Sequence, residues 1–71
     1  MPAFKAKEVI AILKKLGYIQ KRQTGSHLIM YHLELKRAIP VPLHAKDVRK
    51  GLLHSIIKQA DSTLKEFLKL K

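Results

Sequence analysis

Cysteine is missing from all 71 residues, which excludes a disulfide framework and a thiolate metal site and suits a reducing, intracellular compartment. Long apolar runs are missing too. No stretch approaches the roughly 20 apolar residues of a membrane span, and charges at Lys5, Lys7 and Glu8 break up the region where a signal peptide would be continuously apolar. A soluble, cytoplasmic protein is expected. Aromatic residues are few, with two Phe, two Tyr and no Trp, and a chain this short can bury only about 60% of its unfolded surface. A single domain over residues 1–71 with a small core follows. Acidic residues are scarce as well: five Asp and Glu stand against fifteen Lys and Arg, a formal charge of +10. So large a bias implies a polyanionic partner, nucleic acid first, an acidic protein second and an anionic membrane surface third. A basic surface that is merely solvated is the plainer alternative.

What is present falls into helical and strand periods. Phe4, Val9, Ile10, Leu13 and Leu16 recur at helical spacing, and Gly17 stands where a C-cap glycine belongs, so a helix is expected over residues 4–16. Residues 18–23, "YIQKRQ", alternate and lead through the turn Thr24-Gly25-Ser26 into the apolar run "HLIMYHLE", which reads as a hairpin. Ile39 and Val41 mark a third strand over residues 37–41; Pro40 and Pro42 cannot donate to a ladder and place it at a sheet edge. A second helix is expected over about residues 46–60, with Leu52, Leu53, Ile56, Ile57 and Ala60 as its apolar stripe. Asp61-Ser62 ends it, and Thr63-x-x-Glu66 opens a short terminal helix as a capping box. The order α-β-β-β-α, with that extra helix, predicts an α+β domain: a three-stranded antiparallel sheet whose helices cover one face and leave the other open.

Four histidines invite a metal site, but no HExxH or comparable His-carboxylate spacing occurs and the five carboxylates are scattered. No cofactor motif is present either: there is no glycine-rich phosphate loop and no GxSxG. Hydrolytic chemistry would have to rest on histidine and cations. RNA permits that, because its own 2'-hydroxyl is the nucleophile. Cleavage then needs a base that titrates near neutrality, an acid for the 5'-oxygen and cations or amides on the developing charge. His27, directly after Gly25-Ser26 at the mouth of the hairpin, suits the base, with Lys21, Arg22 and Ser26 holding the phosphate. A surface histidine with no task is the competing reading. His44 is a candidate acid or a loop-capping residue, and His32 and His54 read as ordinary surface positions. Lys46, Arg49 and Lys50 add cations at the start of the second helix, where the helix dipole also favours phosphate, offset in part by Asp47. Tyr18 and Tyr31 would stack on bases if they lie on the open face and pack if they do not.

These residues also carry a resemblance. Residues 17–67 are similar to the HicA-type mRNA interferase toxins, the small partners in HicA/HicB type II toxin-antitoxin systems. The specific parts are Gly25-Ser26-His27, Val41-Pro42-x-His44, and Lys50-Gly51-x-Leu53 running into Ser55-Ile56-Ile57-Lys58-Gln59-Ala60. The resemblance implies a fold like the double-stranded RNA-binding domain and a metal-independent endoribonuclease that degrades mRNA. It implies that the histidine of the Gly-Ser-His motif, His27 here, is needed for activity. It also implies a HicB antitoxin that covers the active site. The toxin is expected to be monomeric alone. Two positions depart from the family pattern. Leu28 stands where many members have a second histidine, and Asp61 where a helix-ending glycine is common. A non-catalytic double-stranded RNA-binding module of the same fold is the alternative, and a purely protein-binding partner for an acidic antitoxin is a third reading.

Overall fold

In the computed structural model, which describes residues 3–43 and 47–71, the chain runs through α1 (Ala6–Lys15), β1 (Ile19–Thr24), β2 (His27–His32), β3 (Arg37–Pro42), α2 (Lys50–Gln59) and α3 (Leu64–Leu70). The strands form one antiparallel sheet in the order β1-β2-β3. This is the α+β order that periodicity predicts, with the short helix added at the end.

Both long helices start later than their apolar periods suggest, for one shared reason. Phe4 and Val48 form an isolated antiparallel bridge, in which Val48 N donates to Phe4 O at 2.7 Å. The pairing holds both segments extended, so α1 begins at Ala6 and α2 at Lys50. Glu8 accepts from the backbone N–H of Lys5 at 2.9 Å, which satisfies one orphan donor at the start of α1. At its other end Gly17, at φ +99, turns the chain so that Tyr18 N can reach Leu13 O at 2.9 Å.

Just past the end of α2, Asp61 takes the left-handed conformation (φ 54) that a glycine commonly fills; the Ser62 N–H then reaches Ile57 O at 3.0 Å. Thr63 caps α3 as its sequence indicates, its Oγ1 accepting from Glu66 N at 3.1 Å. The Glu66 carboxylate turns to the Ser62 hydroxyl instead. Phe67 is fully buried and meets Phe4 edge-on at 6.3 Å, whereas Leu68 stays exposed and Leu70 packs against the core.

The core lies between the helices and one face of the sheet. Val9 and Leu13 from α1, Met30, Ile39 and Val41 from the strands, Leu53 and Ile56 from α2 and Phe67 from α3 are all essentially inaccessible. α1 and α2 lean on β3, the strand that carries two of those core residues, and every residue of β1 is exposed. β1 thus forms an overhanging margin, and the opposite face of the sheet is uncovered.

Candidate functional site

The register decides what the uncovered face displays. Residues opposite one another in an antiparallel ladder share a face, and neighbours along a strand alternate. His27 pairs with Thr24 and Pro42, Ile29 with Arg22 and Pro40, and Tyr31 with Ile19 and Ala38. Leu28 and Met30, between them, are buried. His27, Ile29 and Tyr31 therefore line the open face, flanked by Arg22 and Thr24 on one side and two prolines on the other.

His27 is exposed at the first position of β2, just past the turn. Gly25 makes that turn with φ 57, and the Gln23 side-chain amide donates to Gly25 O at 3.2 Å. Ser26 is half-buried, and its carbonyl accepts from Leu43 N at 2.7 Å, which ties the turn to the segment leaving β3. Arg22 lies diagonally across the ladder from His27 on the same face, a spacing that a long side chain bridges easily.

Lys21 reaches the open face by a different route. The ladder slips between Gln20 and Arg22, leaving Lys21 as the extra residue of a bulge, and its Nζ stands 4.4 Å from the centre of the Tyr31 ring. Arg49 and Lys50 are exposed at the start of α2, and Arg49 makes no side-chain cap, so α2 opens with cations and no acidic residue in its first turn. His27 pairs with the last residue of β3, which sets the turn and the chain leading to α2 at one end of the sheet. His44 and Lys46, the other two candidates, lie outside the described residues.

The two tyrosines separate cleanly. Tyr18 is buried and packs edge-on against His32 at 5.1 Å, so it is a core residue, while Tyr31 is half-exposed on the open face. His32 is not the ordinary surface residue that its position in the sequence suggests. Its Nδ1 accepts from Leu35 N at 3.1 Å, which closes the β2–β3 turn. His54 is exposed on α2 as expected.

Among the described residues no three His, Cys, Asp or Glu side chains converge as a metal-ion site would require, and no helix is long and apolar enough to cross a membrane. A cleft of about 370 Å³ is lined by Arg37, Ile39, Lys58 and Asp61. It lies at the start of β3, the opposite end from His27, and brings no histidine to its walls.

The family model for the HicA toxin of bacterial toxin-antitoxin systems matches residues 6–61. The chain belongs to the HicA toxin family. No curated protein gives a significant match. The HicA match takes in α1, the whole sheet and α2 and stops just short of α3, so the Gly25-Ser26-His27 turn and the cationic start of α2 fall within the matched residues. As a HicA toxin the chain is one half of a pair whose other half is an antitoxin.

Sequence reasoning missed the bulge at Lys21 and the pairing of Lys21 with Tyr31. No glycine or proline marks that position in "YIQKRQT", and a bulge is a property of the ladder rather than of one strand.

Proposed function

We propose that this HicA toxin is an endoribonuclease that cleaves RNA without a metal ion, with His27 as the general base. His27 takes the proton from a ribose 2'-hydroxyl; the freed oxygen attacks the adjacent phosphorus, the bond from phosphorus to the 5'-oxygen breaks, and a 2',3'-cyclic phosphate is left on one fragment. The departing 5'-oxygen takes a proton from an acid that is not assigned. Arg22, which shares the face of His27, and the amides of the Gly25-Ser26 turn would stabilise the charge that builds on the phosphoryl oxygens. Lys21, Arg49 and Lys50, with Lys46, extend the attraction to flanking phosphates.

The observation that carries this reading is the exposure of His27 on an uncovered face, diagonal to Arg22 and beside a turn, where it contributes nothing to the core. The partner that controls it is a HicB-like antitoxin covering the open face, and the toxin acts in the cytoplasm, monomeric when free.

The test is a gel assay with single-stranded RNA in excess EDTA, run beside a folded His27→Ala variant. Cleavage by the native chain alone, with cyclic-phosphate ends, is the expected result. Absence of cleavage by either protein, with RNA binding intact in both, turns the reading into that of a non-catalytic RNA-binding module.

A further inference from the structure

The open face has a lengthwise grain. Along β2 run His27, Ile29 and Tyr31, and beside them β3 presents Pro40 and Ala38, so an apolar strip with one aromatic ring leads away from the histidine. Along its β1 side stand two cations, Arg22 opposite Ile29 and Lys21 over Tyr31. Tyr31 is four residues from His27, roughly 13 Å along an extended strand, a distance that a few nucleotides of unpaired RNA cover. A cationic rail beside an aromatic strip is the combination that holds single strands, with phosphates on the rail and bases on the strip. A duplex keeps its base faces stacked and would make no use of the strip.

Lys21 is the less expected member. It belongs to an edge strand, all of it exposed, where a lysine would ordinarily extend into water. The bulge turns it inward over the sheet, and the negative face of the Tyr31 ring holds its ammonium at 4.4 Å. The cation is therefore held beside the strip before any RNA arrives, and a base that takes the ring face displaces it toward the adjoining phosphate.

We propose that Tyr31 and Lys21 form a nucleotide subsite distant from the scissile bond, in which a base of single-stranded RNA stacks on the Tyr31 ring and an adjoining phosphate is taken by Lys21. The subsite fixes how the strand lies relative to His27. For its catalytic end the inference rests on the ribonuclease reading, but its binding claim stands separately.

The test compares cleavage of a single-stranded octanucleotide with that of a dinucleotide, which is too short to reach from His27 to Tyr31. Tyr31→Ala is expected to lower kcat/KM on the octanucleotide, through KM, by about 5- to 150-fold more than on the dinucleotide, the worth of one stacked base at ~1–3 kcal/mol. Tyr31→Phe keeps the ring and restores the octanucleotide preference. An equal loss on both RNAs is what a merely structural residue would give and overturns the proposal, as does no loss on either. If Tyr31→Ala fails to fold, Tyr31→Leu, which keeps the apolar cover without the ring, is read in the same way. Should the native chain prove unable to cleave, fluorescence anisotropy of the labelled octanucleotide with His27→Ala and His27→Ala/Tyr31→Ala decides the matter. A Kd weakened by the same factor upholds the subsite while the ribonuclease reading falls, and an unchanged Kd overturns it. Competition by a duplex of the same sequence as strongly as by the single strand also overturns it.

Discussion

A methyl group on Gly17 would stand 2.7 Å from Nε2 of His32, so the turn that follows α1 and the end of β2 fit together only while position 17 has no side chain. The ring cannot easily step aside. Its other nitrogen accepts from Leu35 N, and its plane meets the Tyr18 ring edge-on. Gly17 also sits at φ +99, a conformation that costs an L-residue strain whatever space is available. Gly17→Ala is expected to lose about 1–3 kcal/mol of stability, read from urea denaturation with an unchanged m-value; native stability in the variant would show that the ring yields.

The same aromatic neighbour offers the opposite kind of change. The Tyr18 hydroxyl is enclosed and finds no hydrogen-bond partner among the described residues. A buried unsatisfied hydroxyl carries a desolvation cost of about 1–3 kcal/mol. Tyr18→Phe should therefore leave the melting temperature unchanged or raise it, and a clear fall would mean that the hydroxyl has a partner.

Acid should weaken the start of α1. The Glu8 carboxyl is held below the ordinary carboxylate range, first by the N–H it accepts from Lys5 and then by the charges of Lys71, Lys5 and Lys7, against the opposing effect of burial. Because the folded value is the lower one, Glu8 contributes stability that is complete above the unfolded value and is lost as pH falls through the folded one. Denaturation curves at successively lower pH should show that loss in the native chain. Glu8→Gln should flatten the acid limb.

α3 lies beyond the residues matched to the family, yet it is built into the core. Phe67 is fully buried against Phe4, Lys15 Nζ donates to Leu70 O at 2.9 Å, and Lys71 Nζ donates to Ala3 O at 2.9 Å. Phe67→Ala should cost about 3–5 kcal/mol, a large share of what so short a chain possesses. Thermal melting measures it, and a loss below about 1 kcal/mol would mean that α3 is dispensable.

Arg22 should act on RNA through charge alone. If it neutralises one phosphate of a single strand, Arg22→Ala reduces the steepness of log Kd against log salt by about 0.7. An anisotropy titration at several salt concentrations reads the slope directly, and an unchanged slope would remove Arg22 from the interface.

The parts of the fold that were legible in the sequence are those set by local period and turn chemistry. Gly17, the Thr24-Gly25-Ser26 turn and the Thr63 cap announced the element order, and Pro40 and Pro42 announced the edge strand. The helix starts were not legible, because the Phe4–Val48 bridge that sets them joins residues far apart in the chain. The face on which His27 stands depended on a register that slips by one residue at a turn without altering the pattern. The task of His32 needed the β2–β3 turn to bring Leu35 N to its ring.

A short sheet with two free margins invites other chains to add strands, and each margin here is disarmed in its own way. β3 interrupts its row of donors with Pro40 and Pro42. β1 breaks its ladder at Lys21 and sets Lys21 and Arg22 side by side along the rim, a bulge and a pair of charges that together discourage edge-to-edge stacking. The two cations that would draw in a nucleic acid are thus also those that keep neighbouring copies apart. Neutralising both would leave a β1 margin more open to pairing with a neighbouring copy and, on the proposed reading, a weaker hold on RNA.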